Sequence, residues 1–294
     1  MPDDPIIGRF APTPSGPLHF GSLVTALASY CDTRSRNGQW LLRIDDVDTP
    51  RVVAGADTEI IRALEAFGFE WDANVVYQHD QFEHYRDTLQ YLLDQGDCYA
   101  CECSRRGLRQ LGVDHGPMGL IYPGYCRDKH LDPALYSIRM HTGLAGNTGF
   151  HDRIFGLIEL NLGDQVGDFV LRRIDGIYAY HLAAVLDDAR LGVNSVLRGA
   201  DLLESSCLQI FLQQRLGLPQ PEYIHVPLVK NQQGQKLSKQ AGATALDINN
   251  AGATLISALE FLGQPIDATP GQTRPREIID YAVQHWDRAL INSG

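Results

Sequence analysis

Two groups of residues in this chain have types and spacings suited to chemistry. The first centres on a histidine behind a stiff loop. PTPSGPLHFGSLVTALASY, residues 12–30, sets Pro12, Pro14, Gly16, Pro17 and Gly21 around His19, directly before an apolar helical run. A helix start presents unpaired backbone N–H groups and the positive end of the helix dipole, so it attracts phosphate. The glycines let a ligand approach the backbone, and the prolines reduce the cost of ordering the loop. His19 can donate to phosphate oxygens there, or it can simply cap the helix. Lys236 follows 217 residues later, and with Lys239 it brackets a serine in GQKLSKQ. Lysines beside a phosphate site neutralise charge as a phosphoryl transition state develops. On its own, such a pair equally suits a solvated loop.

The second group is sulfur. Of six cysteines, Cys98, Cys101, Cys103 and Cys126 fall within 29 residues, while Cys31 and Cys207 stand apart. In a cytosolic chain, clustered cysteines point to metal more than to disulfides. Zinc takes four ligands tetrahedrally. Spacing alone selects the four clustered cysteines, with His115 as a substitute. Reduced thiols without metal are the plain alternative.

The elements that must position these groups follow from periodicity. Residues 6–95 read strand, helix, strand, helix, strand, helix: IIGRF, LVTALASYCDTRSRNG, WLLRIDD, TEIIRALEAFGF, NVVYQHD and QFEHYRDTLQYLLDQG. That alternation is the signature of a parallel α/β sheet. Residues 97–135 lose periodicity, and YSIRM, RIFGLIELNL and DFVLRRIDG then read as β-hairpins. Alternation resumes with YAYHLAAVLDDA, VNSVLRGAD, LLESSCLQIFLQQRLG and EYIHVPLV, and two helical stretches, TLISALEFLG and PREIIDYAVQHW, close the chain. The expected fold class is α/β: a Rossmann-like doubly wound parallel sheet with a zinc-containing α+β insertion and a small C-terminal helical subdomain. The expected division is 1–96 and 177–229 for the two halves of the catalytic domain, 97–176 for the insertion and 230–294 for the loop and helical appendix.

Composition narrows the function classes. A chain of 294 residues has room for one large domain or two modest ones, at ~100–200 residues each. No apolar run approaches the ~18 residues of a membrane span, and MPDDPIIGRF lacks the regions of a signal peptide. A cytoplasmic protein without a membrane partner is expected. The net charge of −11 argues against generic nucleic-acid binding, yet local basic clusters such as SRRGLRQ and CRDKH leave room for a specific RNA path.

His19 with its flanking glycines and the distant KLSKQ together resemble the two signatures of class I aminoacyl-tRNA synthetases. RFAPTPSGPLHFG, LLRIDDVDTPR, AYHLAAVLDD and LRGADLL are similar to the glutamyl and glutaminyl branch, and the likeness runs from about residue 7 to 245. HFGS, KLSKQ and the ~50 residues after it resemble a shortened group within that branch, the glutamyl-Q tRNA(Asp) synthetases, which lack an anticodon-binding domain. The resemblance implies glutamate activation by ATP with Mg²⁺, without need for tRNA. Transfer to the queuosine base of tRNA(Asp) follows, by a monomer. It implies catalytic and ATP contacts at His19, Gly21, Lys236 and Lys239. It implies a glutamate site of Arg9, Thr13, Asp45, Tyr180 and Arg198. A glutamate pocket wants two cations and an anion, and arginines bind carboxylates in bidentate pairs. Asp45 stands where relatives carry Glu, one methylene longer. For the metal, the resemblance implies one structural Zn²⁺ on Cys101, Cys103, Tyr122 and Cys126, leaving Cys98 as a neighbour or alternative ligand. Competing readings are a minimal glutamyl-tRNA synthetase charging tRNA(Glu) and a small-molecule nucleotidyltransferase.

Overall fold

The computed structural model describes residues 5–229, 244–266 and 273–293. Its first part alternates as the hydrophobic periodicity dictates: β1 (Ile7–Phe10), α1 (Phe20–Arg34), β2 (Gln39–Ile44), α2 (Ala56–Ala66), β3 (Val76–Tyr77) and α3 (Phe82–Asp94). The stretch without periodicity carries β4 (Cys98–Cys101), α4 (Arg105–Gln110), β5 (His115–Gly116) and β6 (Gly119–Leu120). Next come β7 (Ser137–Met140), β8 (Asn147–Asp152), β9 (Gly156–Asn161), α5 (Leu162–Gln165) and β10 (Val170–Arg172). Alternation returns with α6 (Tyr180–Arg190), β11 (Ser195–Gly199), α7 (Leu203–Leu216) and β12 (Glu222–Val226), and α8 (Ala251–Phe261) and α9 (Pro275–Gln284) follow.

Five strands form one parallel sheet in the order β12-β11-β1-β2-β3. The chain builds outward from β1 on one side and returns at β11 to the other. This reversal is a switch point between β1 and β11, and ligands of such sheets bind there, beyond the strands' carboxyl ends. Successive side chains point to opposite faces. Leu42, Ile44, Leu197 and Ile224 face α1, α2, α8 and α9. Leu41, Val196 and Tyr223 face α3, α6 and α7. Both faces are therefore covered, which makes the fold doubly wound. On the first face Trp40 is fully buried, stacks on Phe69 at 5.7 Å and donates its indole N–H to Ser29 at 2.9 Å.

Between the halves, β4, β7 and β10 form an antiparallel sheet with β7 in the middle. β9 pairs with β8 rather than with β7, and sequence patterning does not anticipate β8. Its inward positions are Thr148, Phe150 and Asp152, so a buried carboxylate stands where an apolar residue is expected. Asp168 joins the cysteine segment to this sheet. It accepts two hydrogen bonds from Arg127 at 2.8 Å each, the Thr142 amide and hydroxyl at 2.8 and 2.9 Å, and the Tyr99 hydroxyl. Burial pushes its pKa up, but Arg127 and these donors outweigh that and hold the carboxyl below its ordinary value.

Candidate active site

The cleft at the switch point is built from the loop after β1, the start of α1 and the end of β11. Its volume is about 260 Å³, and Phe10, Thr13, His19, Gly21, Gly199 and Asp201 are among its walls. His19 is the N-cap of α1: its backbone is extended and its Nδ1 accepts the Ser22 amide at 3.3 Å. Since Nδ1 accepts, the neutral ring carries its proton on Nε2. The backbone of His19 also bridges Ala245, and the Leu246 amide donates to Leu18 at 3.0 Å. Val229 lines the same cleft. Lys236 and Lys239 lie outside the described residues.

Asp201 and Gly199 escape the sequence-level reading. A Cβ on Gly199 would come within 2.6 Å of Asp201 Oδ1, so a side chain there would displace the carboxylate from this wall. The signal was present as Gly199-Ala200-Asp201 directly after an apolar strand.

Beneath the cleft, the face of the sheet shared with α6 carries a buried ionic layer. Alternation puts Arg9, Arg43 and Arg198 on that face together. Arg9 Nε donates to both oxygens of Asp188, at 3.1 and 3.3 Å. Arg43, fully buried, donates to Asp45 Oδ1 and Asp188 Oδ1, both at 2.6 Å. Asp187, next along α6, accepts from Tyr85 at 2.7 Å and Gln78 at 2.9 Å. Burial raises the Asp45 and Asp187 pKa values against the pull of Arg43, whereas Arg9 and Arg43 overcome burial at Asp188 and lower it. Asp46 points the other way and accepts the backbone amide of His79 at 3.0 Å. Of the residues singled out in the sequence, Arg9 and Asp45 therefore meet through Arg43 and Asp188. Arg43, Asp187 and Asp188 lie in RIDD and VLDD, and their one signal in the sequence is charge in otherwise apolar runs.

Arg198 and Tyr180 meet directly. Arg198 Nη1 donates to the Tyr180 hydroxyl at 3.1 Å, Nη2 to Ser206 Oγ at 2.8 Å, and Nε to His225 Nε2 at 3.1 Å. Arg198 is buried, and its guanidinium carbon lies 5.1 Å from the centre of the Tyr223 ring.

The sulfurs of Cys101, Cys103 and Cys126 lie within 4.8 Å of one another. The Tyr122 hydroxyl is 3.3 Å from Cys101 Sγ and 3.6 Å from Cys103 Sγ. Cys98 sits instead in the apolar core with Met140 and Leu171, so the alternative set that includes it is not assembled. His115 is likewise absent from the group.

Residues 5–263 match the family model for the catalytic domain of class I tRNA synthetases (E and Q). The chain belongs to that family. Curated relatives match over nearly their whole length. The glutamyl-Q tRNA(Asp) synthetase of Pseudomonas syringae pv. tomato is 47% identical over 97% of this chain and 94% of its own. Its namesake in Neisseria meningitidis serogroup C is 48% identical over 97% and 96%. Among solved structures, the glutamate-tRNA synthetase of Elizabethkingia anophelis shares the fold with a TM-score of 0.82 at 24% identity, over 99% of this chain and 67% of that one.

As a class I synthetase of the E and Q type, the chain is a ligase that uses ATP, and its sulfur group fits a structural metal. Three thiols and a phenol supply four donors, the number zinc takes. A fifth residue supports the fit. Arg139 is buried, donates Nε to Cys101 Sγ at 3.2 Å and lies with its guanidinium carbon 4.1 Å from the centre of the Tyr122 ring. A guanidinium buried against sulfur and a phenol, rather than against a carboxylate, suits ligands that carry negative charge. No helix among the described residues is long and apolar enough to cross a membrane.

Proposed function

We propose that this synthetase activates L-glutamate with ATP, without need for tRNA, and transfers the glutamyl group to the queuosine base in the anticodon of tRNA(Asp). The observation that carries the reading is the match to glutamyl-Q tRNA(Asp) synthetases at 46–48% identity over at least 94% of the relatives' length. An α-carboxylate oxygen of glutamate attacks the α-phosphorus of ATP, the bond to the β-phosphate oxygen breaks and pyrophosphate leaves. A hydroxyl oxygen of queuosine then attacks the glutamyl carbonyl and AMP leaves. A carboxylate is already a nucleophile at neutral pH, so the first step rests on positioning and charge stabilisation.

In this reading the cleft takes ATP. His19, its proton on Nε2, donates to phosphate oxygen. Gly21 admits the phosphates to the start of α1, and Lys236 and Lys239 neutralise the leaving pyrophosphate. Mg²⁺ accompanies the nucleotide and offsets phosphate charge. Arg9 and Arg198 receive the two glutamate carboxylates, Asp45 accepts from the ammonium, and Thr13 and Tyr180 add hydroxyl contacts. Cys101, Cys103, Tyr122 and Cys126 hold Zn²⁺, which ties the insertion of residues 97–176 together. The protein works as a cytoplasmic monomer.

The test is glutamate acceptance by purified tRNA(Asp) with and without queuosine, and by tRNA(Glu). Transfer confined to queuosine-containing tRNA(Asp) is expected. Transfer to tRNA(Glu) instead would make the protein a minimal glutamyl-tRNA synthetase.

A further inference from the structure

Behind Arg198 runs a chain of buried polar groups that reaches out of the parallel sheet into the β8–β9 hairpin. Arg198 and His225 are register partners on the neighbouring parallel strands β11 and β12, so their side chains leave the same face side by side. Arg198 Nε donates to His225 Nε2 at 3.1 Å, and His225 Nδ1 pairs with Asp152 Oδ2 at 2.8 Å. His225 and Asp152 are completely buried. Asp152 is the last residue of β8, and its other oxygen, Oδ1, accepts the amides of Ile154 and Phe155 at 2.8 Å each. Ser206 Oγ also lies 3.2 Å from His225 Nε2, and these contacts place the imidazole proton. An arginine Nε always donates, so His225 Nε2 must accept and Nδ1 must carry the hydrogen that Asp152 receives. The carboxylate in turn makes the imidazole a better acceptor.

The consequence falls on Arg198. A guanidinium has five N–H groups, and three are committed, to His225, Tyr180 and Ser206. Among the described residues, one remains without a partner on each terminal nitrogen. With Nε turned to His225, a carboxylate can be gripped only by the two terminal nitrogens. We infer that His225 and Asp152 are positioning residues for the synthetase: they hold Arg198 in the orientation that presents its two terminal nitrogens to a glutamate carboxylate. Neither touches substrate. The inference rests on the proposed role of Arg198 in glutamate binding.

Two substitutions at one position separate positioning from mere packing. Gln can place its carbonyl oxygen where Nε2 stands, and so keep the acceptor for Arg198. Asn can place its NH₂ where Nδ1 stands, and so keep the hairpin contact while losing Arg198. Glutamate-dependent ATP–pyrophosphate exchange is measured at varied glutamate and at varied ATP. His225→Asn should raise KM for glutamate ~10–100-fold, the cost of losing a buried hydrogen bond to a charged group. KM for ATP should stay within about twofold, and His225→Gln should recover most of the loss. Asp152→Asn tests the far end. Its oxygen is needed by the two amides, so its NH₂ faces Nδ1 and forces the proton to Nε2, against Arg198. It too should raise KM for glutamate selectively. Thermal melting of each variant with ATP alone checks that it is folded. His225→Asn behaving as wild type, His225→Gln faring no better than Asn, or KM rising equally for ATP and glutamate would each overturn the inference. Wild-type exchange that does not depend on glutamate would instead remove the underlying reading of the site.

Discussion

Lys239 and Arg198 show two different demands on a cation. Arg198 is fixed through three of its nitrogens and is suited to a carboxylate present from the start. Lys239 belongs to GQKLSKQ, whose chain neighbours Val229 and Ala245 stand at the cleft. A cation that acts on charge developing in the transition state affects the chemical step rather than ground-state binding. Lys239→Ala should therefore slow adenylate formation by about 10²–10³-fold, the cost of removing one such donor. Glutamate affinity, measured by calorimetry, should stay within about twofold. Lost glutamate binding with unchanged turnover at saturation would remove Lys239 from the chemical step. At this scale the sequence was legible where a residue acts alone. His19 could be read as a helix-start residue because its neighbours in the chain define the helix start. Arg43, Asp187 and Asp188 could not, because what makes them a buried ionic layer is contact between residues 145 apart, as in the Arg43–Asp188 pair.

At the scale of elements, the insertion is where patterning fails and where thiols and a phenol take much of the place of an apolar core. β4, α4 and the short β5–β6 ladder surround a core of only Cys101, Leu108, Tyr122 and Cys126, with a few half-buried neighbours. So small an apolar group holds little of the segment by itself; sulfur spacing marked the segment but included Cys98, which lies in the apolar core, whereas the family resemblance pointed to Tyr122. β8 was illegible for another reason. NTGFHD has a glycine in its middle and turns an aspartate inward, and both features argue against a strand in isolation. The strand exists because it pairs with β9 along its length and because His225 receives Asp152. Arg139 gives this scale its prediction. Among the described residues it makes no ion pair with a carboxylate; it donates to a thiol and to the Asp168 carbonyl at 2.8 Å, and it covers the phenol. Arg139→Gln should weaken zinc retention ~10–100-fold, as expected for loss of a supporting hydrogen bond behind a metal ligand. Competition with a chromogenic chelator measures it without reference to activity. One zinc per chain bound equally tightly by wild type and variant would show that Arg139 serves packing alone.

Across the whole molecule, buried charge makes stability depend on pH. His181 and His225 both have pKa values pushed down to about 4, first by burial, with Arg198 adding to the effect at both. His181 packs on Phe169 and Tyr180, and its buried Nδ1 has no hydrogen-bond partner among the described residues. An ordinary histidine titrates near ~6.5. Below that pH the unfolded chain takes up protons that the folded chain refuses, so stability falls as pH drops from ~6.5 towards 4 and is whole above it. The carboxyls of Asp152, Asp168, Asp188 and Glu222, all held below their ordinary values, add a loss only at lower pH, as each is protonated through its folded pKa. His79, raised first by its hydrogen bond with Asp46, and the carboxyls of Asp45 and Asp187, raised by burial, act the other way as pH falls. Urea unfolding should therefore give a stability at pH 5 that is lower than at pH 7.5 by about 1–3 kcal/mol. The decisive comparison is His181→Phe, which keeps the ring contacts and removes one titrating group. It should flatten the decline between pH 6.5 and 4 by on the order of 2 kcal/mol. The same decline in the variant would place the acid sensitivity elsewhere and show that His181 is no better shielded in the folded chain than in the unfolded one.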